Sequence, residues 1–407
     1  MEKGRKKRIV GVLVNLIVRS ASHGLSSVVN QLVYLPALAR MFSSASYGLI
    51  LTLIGVVNCI KDVLGSSLNN VRLVMNADYE KEDTKGDFNI VLVALMALGV
   101  ITLFVFFFIF PEMGVVQLII LIPTVVLLIF DTYATFWFYI ILDLKKTLIS
   151  SMISAGGLFV GLLLVKITDL WPLANLVSAI ALTIYLIKST PVLKEPFVKT
   201  IHFKTVITKL VFVGLSSLLA SMLVYLDRLI LYPIIGGEAV STYSVAVFFG
   251  KTLNIAIIPA SSVLLGYISQ KGFKMNLRRY WLINAGTWAI YVVFIHGVLF
   301  VSPWFTSVFY PTLYSDAEPY ILIGNAAAAL GSIAYITQAI ALKFASTKWI
   351  LIMQIIYCVI YIGLGIPFLK IWGLYGFCIT MMIANGVKLL LMYVICHYYI
   401  SRREIEI

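Results

Sequence analysis

Eight ionisable side chains fall inside long apolar stretches of the 407-residue sequence: Arg19, Lys61, Arg228, Lys251 and Lys388 as cations, and Asp62, Asp131 and Asp227 as anions. Each costs about 2.5–3.5 kcal/mol at the centre of an isolated membrane helix, so each must face a cavity or a partner. Cations outnumber carboxylates, and a cavity with that bias prefers an anion. On the first stretch Arg19, His23, Ser26 and Asn30 follow steps of four, three and four, which places them on one helix face. Arg19 there lines a cavity, or else pairs or snorkels, and His23 is a packing residue or a proton carrier. Asn58 and Lys61 sit three apart, as do Lys251 and Asn254, so each pair offers an amide and an ammonium from one face. Against substrate contact stands tethering of either lysine to Asp62 or Asp131. Asp227-Arg228 reads equally as a structural ion pair or a ligand contact. Lys388 serves the cavity, serves a groove for a hydrophobic tail, or snorkels. Asp62, Asp131 and Asp227 could each take a proton or sodium during a cycle. Cys59, Cys358, Cys378 and Cys396 are scattered without ligand spacing, and no nucleophile–base set, metal cluster or phosphate-binding glycine loop is apparent. The expectation is a carrier without metal or cofactor, not an enzyme.

The elements that position these residues are membrane helices. Hydrophobic residues make up 61% of the chain and charged residues 12%, with a mean hydropathy of +1.00, far from globular composition. A pass through the bilayer needs roughly 20 apolar residues. Such stretches lie near 10–38, 47–73, 89–110, 115–139, 147–167, 171–187, 206–232, 241–268, 280–301, 319–342, 348–368 and 373–400. They are continuous rather than alternating, which argues against a strand barrel. The basic start resembles a signal peptide, but Asn15 and Arg19 interrupt its apolar run and further spans follow at once, so it is read as retained. With twelve spans and a cytoplasmic N-terminus, only Arg40, Lys166 and Lys370 of the basic residues outside the spans fall outside the cell. That asymmetry places both termini in the cytoplasm. It also accounts for the net charge of +13 without nucleic acid. The longest outside loop is Ser302–Glu318, short for a catalytic one.

The chain repeats itself. The stretch GLSSVVNQLVYL from Gly24 is echoed by GLSSLLASMLVYL from Gly214. Tyr47-Gly48 corresponds to Tyr243-Ser244, Asn58 to Asn254 and Ser66 to Ser262, while Leu170-Trp171-Pro172 echoes Ile371-Trp372-Gly373. The offset stays near half the chain. An all-α integral membrane protein follows, with two six-helix lobes, 1–190 and 206–407, joined by a polar linker at 191–205. The lobes are related by a parallel pseudo-twofold repeat, an architecture of alternating-access transporters. Small residues let membrane helices approach closely, so Ser26 or Ser27 is expected near Ser216 or Ser217 in one access state.

Three stretches resemble a known family. Pro36-Ala37-Leu38-Ala39-Arg40 followed by Tyr47-Gly48 is similar to the P-x-L-x-R…Y-G signature of polysaccharide-exporting flippases. Tyr225-Leu226-Asp227-Arg228 with Gly236-Gly237 and Tyr243-Ser244 resembles the matching stretch of their second half, and Trp372-Gly373-Leu374-Tyr375-Gly376 the W-G-x-x-G that opens their last helix. The likeness runs through nearly the whole chain and points to the multidrug/oligosaccharidyl-lipid/polysaccharide flippase superfamily. It implies a bacterial inner-membrane flippase of undecaprenyl-diphosphate-linked repeat units of O-antigen or capsule, with membrane lipids and a polysaccharide polymerase as partners. A diphosphate would accept charge-assisted bonds from the intramembrane cations. Asn30, Gln31, Asn58, Asn254, Asn325 and Gln338 would supply sugar contacts. Moving negative charge out of a negative interior releases about 2.3 kcal/mol per charge per 100 mV, so the potential could drive export, as could a proton or sodium gradient. The alternatives are a multidrug exporter of the same superfamily, which would need an acidic cavity, a major-facilitator sugar carrier, whose loop motif NADYEKEDTKGDFN lacks, and a membrane polymerase.

Overall fold

The computed structural model describes residues 26–405 except Leu142, Gln270, Lys271, Gly272, Lys274 and Ser346; Arg19 and His23 lie outside the described residues. All described secondary structure is helical. A π-helical turn, Asn30–Tyr34, leads into α1 (Leu35–Met41). The second span is α2 (Ser44–Lys61), a π-helical turn Asp62–Ser66, and α3 (Ser67–Lys81). Then come α4 (Phe88–Ile109), α5 (Val115–Ala134), α6 (Phe136–Ile140), α7 (Leu144–Thr168) and α8 (Pro172–Ser189). The second half contains α9 (Phe203–Ile235), α10 (Gly237–Ala246), α11 (Phe248–Thr252) and α12 (Asn254–Ile268). It ends with α13 (Leu277–Phe309), α14 (Tyr314–Phe344) and α15 (Thr347–Ile405).

Ten described helical segments are long and apolar enough to cross a membrane. Most coincide with the stretches read from hydropathy. The 373–400 stretch is separate from the one before it, as read, because the helical run numbered α15 is interrupted at Gly373, whose φ 60°, ψ −146° is not helical. There it folds back, so that Tyr361 meets Phe377 with ring centroids 5.5 Å apart and Trp349 Nε1 donates to the Tyr399 hydroxyl at 3.1 Å. The expected outside loop Ser302–Glu318 is shorter than read. Helix α13 runs on to Phe309 despite Pro303, and α14 starts at Tyr314.

Chain contacts divide the molecule at Gly237 into two compact units. Helix α9, the first of the second sequence repeat, packs on α2, α3 and the π-helical turn between them, so the contact division falls later than the linker at 191–205. In the second unit α14 is central, packed by α12, α13 and α15. Its alanines 326–329 are buried, and such small side chains permit close helix approach where lipid supplies no hydrophobic drive. Large apolar residues such as Phe300, 80% exposed, cover the outside as expected for a lipid-facing belt.

The linker of the first unit is clamped from beneath. Asn89 Nδ2 donates to the carbonyls of Val192 and Glu195 at 3.1 and 2.8 Å. The Asp87 amide donates to the Val198 carbonyl at 2.8 Å, and the Asp87 carboxylate accepts from the Thr200 amide at 2.7 Å and from the Thr200 and Tyr79 hydroxyls. Arg72 binds Glu195 at 2.5 Å while its guanidinium lies 4.4 Å from the centre of the Phe88 ring. His202 Nε2 meets Glu82 at 2.9 Å. Buried polar groups need such partners, and here α3, the loop after it and the start of α4 supply them.

Candidate functional site

Within the first unit, α2 and α9 bring together residues from the two sequence repeats. Arg228 Nη1 donates to the Leu51 carbonyl at 2.9 Å, and the Tyr225 ring lies against Gly55. Tyr225 is within electrostatic reach of Asp62, Arg228, Cys59 and Asp227. Lys61 Nζ sits 3.6 Å from Asp62 Oδ1, both partly exposed, so the tethering that the sequence left open occurs through the neighbouring carboxylate. Asp131 holds neither lysine: its Oδ1 accepts from the Thr183 hydroxyl of α8 at 2.6 Å, and its buried Oδ2 has no hydrogen-bond partner among the described residues. Arg228 makes no carboxylate ion pair among the described residues, so the Asp227-Arg228 sequence neighbours do not form one; Arg228 Nε is buried without a hydrogen bond. Asp227 is 3% exposed.

The equivalent pairs sit at equivalent irregularities. The π-helical turn begins directly after Lys61. On the corresponding helix Val247, Lys251 and Leu253 keep their bonds to the carbonyls four residues back, and side chains of another helix take the backbone groups of Gly250, next to Lys251. Irregular backbone at membrane depth survives only where protein or a water-filled cavity satisfies it, and π-turns concentrate at functional positions. In the second unit α14 supplies the partners. Asn325 Oδ1 accepts from the Gly250 amide at 2.6 Å, its Nδ2 donates to the carbonyls of Ala246 and Ile321 at 2.6 and 2.8 Å, and Ser332 Oγ donates to the Gly250 carbonyl at 3.0 Å. Asn325 is therefore engaged by backbone and is not available as the expected sugar contact. A Cβ on Gly250 would meet Ala328 Cβ at 2.6 Å, so close approach of α11 to α14 requires glycine.

Lys251 Nζ lies 5.8 Å from the centre of the Tyr243 ring. Asn254 Oδ1 and Gln338 Oε1 are buried without a hydrogen-bond partner among the described residues. Lys388 Nζ sits between the rings of Tyr335 and Tyr357, at 5.7 and 5.4 Å, with no carboxylate ion pair among the described residues. Aromatic faces attract a desolvated ammonium, but they do not neutralise it. Asn30 and Gln31 are half-buried in the first π-helical turn, and Asn58 is half-buried one turn before Lys61.

The repeated serines have separate partners: Ser26 Oγ donates to the Ser151 carbonyl at 3.1 Å, and Ser67 Oγ to Ser217 Oγ at 3.0 Å. Beside Ser217 a cleft of about 410 Å³ opens between α3 and α9, lined by Asn70, Phe212 and Ser216 among others. Sequence reasoning missed Tyr225, Tyr335, Tyr357 and Thr183. The signal for Tyr225 was its place three residues before Arg228; the other three touch the site through contacts distant in sequence.

No protein-family profile matches the chain, and no curated protein matches it. Solved structures do. The lipid II flippase MurJ in an inward closed conformation superposes with a TM-score of 0.73 at 18% identity, covering 92% of this chain and 86% of that one. A multidrug resistance MATE family transporter of the MOP superfamily, inward-facing, gives 0.70 at 14% identity, covering 94% and 95%. The Vibrio cholerae MATE transporter VcmN in its bent form gives 0.62 at 12% identity, covering 98% and 99%. The chain has the fold that these transporters share, the two-lobe helical architecture expected from its repeat.

Proposed function

We propose that the protein is a flippase that carries an anionic lipid-linked oligosaccharide, an undecaprenyl-diphosphate-linked O-antigen or capsule repeat unit, across the bacterial cytoplasmic membrane by alternating access, with both termini inside. The observation that carries this reading is that each unit holds an intramembrane cation without a carboxylate ion pair among the described residues, Arg228 in the first and Lys388 in the second. Their desolvation is costly, and a diphosphate that arrives during the cycle offsets it. Guanidinium suits bidentate phosphate contact and ammonium suits point-charge contact. Lys61 in the first unit and Lys251 in the second, beside irregularities of equivalent helices, are further candidate phosphate contacts, and Asn30, Asn58 and Asn254 are candidate sugar contacts. Arg19, outside the described residues, is a further candidate on sequence grounds. Export of the anion runs down the membrane potential; Asp62, Asp131, Asp227 and His23 are the groups that would couple a proton or sodium ion. A polysaccharide polymerase would take the product on the outer side.

Arg228→Gln keeps a donor for the Leu51 carbonyl while removing the charge, and Lys388→Gln keeps a polar tip between the tyrosines. Losing one charge-assisted phosphate contact costs about 1.5–3 kcal/mol, so either variant should export repeat units roughly 10- to 100-fold less effectively while still accumulating in the membrane. The measurement is surface polysaccharide per folded protein in a host that makes lipid-linked repeat units. Undiminished export by both variants would remove the diphosphate site. Protection against cationic dyes that is lost in the same variants would instead favour the multidrug reading.

A further inference from the structure

The linker between α8 and α9 has two unlike sides. Its inner side is engaged by Asn89, Asp87 and Arg72, with Val192 buried beneath it. Its outer side carries large apolar side chains in the open: Leu193 is 54% exposed, Phe197 63%, Val198 55% and Ile201 80%. Lys194, Lys199 and Lys204 are exposed among them, and Lys188 precedes them. The segment contains one carboxylate, Glu195, which is turned inward onto Arg72. The outer side is therefore apolar and carries lysines with no outward acid of its own, while Glu82 meets the far end of the linker at His202. Its ends are fixed by two helices apolar enough to cross a membrane, α8 ending at Ser189 and α9 beginning at Phe203, so the strap is held at the bilayer edge. Its backbone is tied inward and cannot turn the apolar side chains away from water.

We propose that this strap is a docking surface for anionic lipid: Phe197 and Ile201 enter the boundary between headgroups and acyl chains, while Lys194 and Lys199 sit on lipid phosphates. An apolar face ringed by lysines is the composition of interfacial membrane segments, and each basic residue near an anionic leaflet adds attraction. Charge complementarity selects anionic lipid over a zwitterionic surface. The inference does not depend on which cargo the protein carries.

The test uses the full chain with its four cysteines replaced, reconstituted into phosphatidylethanolamine vesicles with or without phosphatidylglycerol. Spin labels are placed by Phe197→Cys, Ile201→Cys and, as an exposed reference at the end of α3, Lys81→Cys. With phosphatidylglycerol present, labels at 197 and 201 should collide with a water-soluble nickel chelate at least about threefold less often than the label at 81, as burial in the headgroup layer requires. Adding Lys194→Gln and Lys199→Gln should return them toward the reference value. Labels as open to the chelate as the reference would overturn the proposal. So would shielding that is the same with and without the anionic lipid, since the lysines would then be idle. Shielding found in native membranes and absent from both kinds of vesicle would also overturn it, and would assign the surface to a protein partner.

Discussion

At the scale of single residues, two motif glycines find their explanation in each other. A Cβ on Gly48 would come within 1.8 Å of the Gly237 carbonyl oxygen, and one on Gly237 within 2.2 Å of the Ala45 carbonyl oxygen. Neither obstacle is a side chain that could swing aside. Gly48→Ala should therefore destabilise the protein by about 1–3 kcal/mol, the usual cost of overpacking, whereas Gly214→Ala, with nothing within 4 Å, should leave thermal unfolding in detergent unchanged or slightly raised. Equal behaviour of the two variants would show that the contact is not needed. Asp131 offers a different kind of test. Asp131→Asn keeps a polar group for Thr183 but cannot take up a proton. If Asp131 is the coupling group, the variant should fold normally and lose the dependence of transport on the pH gradient. A pH response identical to wild type would move the coupling to Asp62 or Asp227.

At the scale of elements, hydropathy made the helices legible, because each span is a nearly unbroken apolar run whose length answers to the bilayer. The irregularities inside the spans were not legible. The irregularity beside Lys251 depends on Asn325 and Ser332 of a helix some eighty residues away, and no local pattern announces it. Candidate cations were visible as charges in apolar surroundings, but their partners only where they were neighbours: Lys61 had Asp62 beside it in the sequence, while the Arg228 contact with Leu51 spans 177 positions. The clamp beneath the linker was invisible for the same reason, since Arg72 and Glu195 are 123 residues apart. Its chemistry gives a prediction. Burial pushes the Glu195 carboxyl up, although Arg72 and Lys85 pull it down, so the folded chain holds this proton more tightly than the unfolded chain does. The resulting stabilisation is complete below the ordinary glutamate value of about 4.3 and is lost as pH rises through the folded value. The unfolding temperature of wild type relative to Glu195→Gln should fall as pH is raised from about 4 to about 7. The opposite trend would mean that pairing with Arg72 outweighs burial.

At the scale of the whole molecule, the alternating placement of basic residues predicts sidedness. Cysteines introduced at Lys199 and Glu238 should react with impermeant reagents from opposite faces of the membrane, Lys199 from the cytoplasmic one; labelling of both from one face would contradict the twelve-span topology. The repeat was readable because duplicated words survive in sequence, but the way contacts partition was not, since a sequence repeat does not say which neighbours a helix keeps. Helix α9 belongs to the second repeat by sequence and packs with the first unit by contact. That arrangement bears on biogenesis. During synthesis the first six spans leave the ribosome before the helix that completes their unit exists, so α2 and α3 wait in the membrane with one flank open to lipid, or to an insertase, until α9 emerges. A chain interrupted in the linker would never close that flank, while one that paused just after Gly237 would already hold a finished unit.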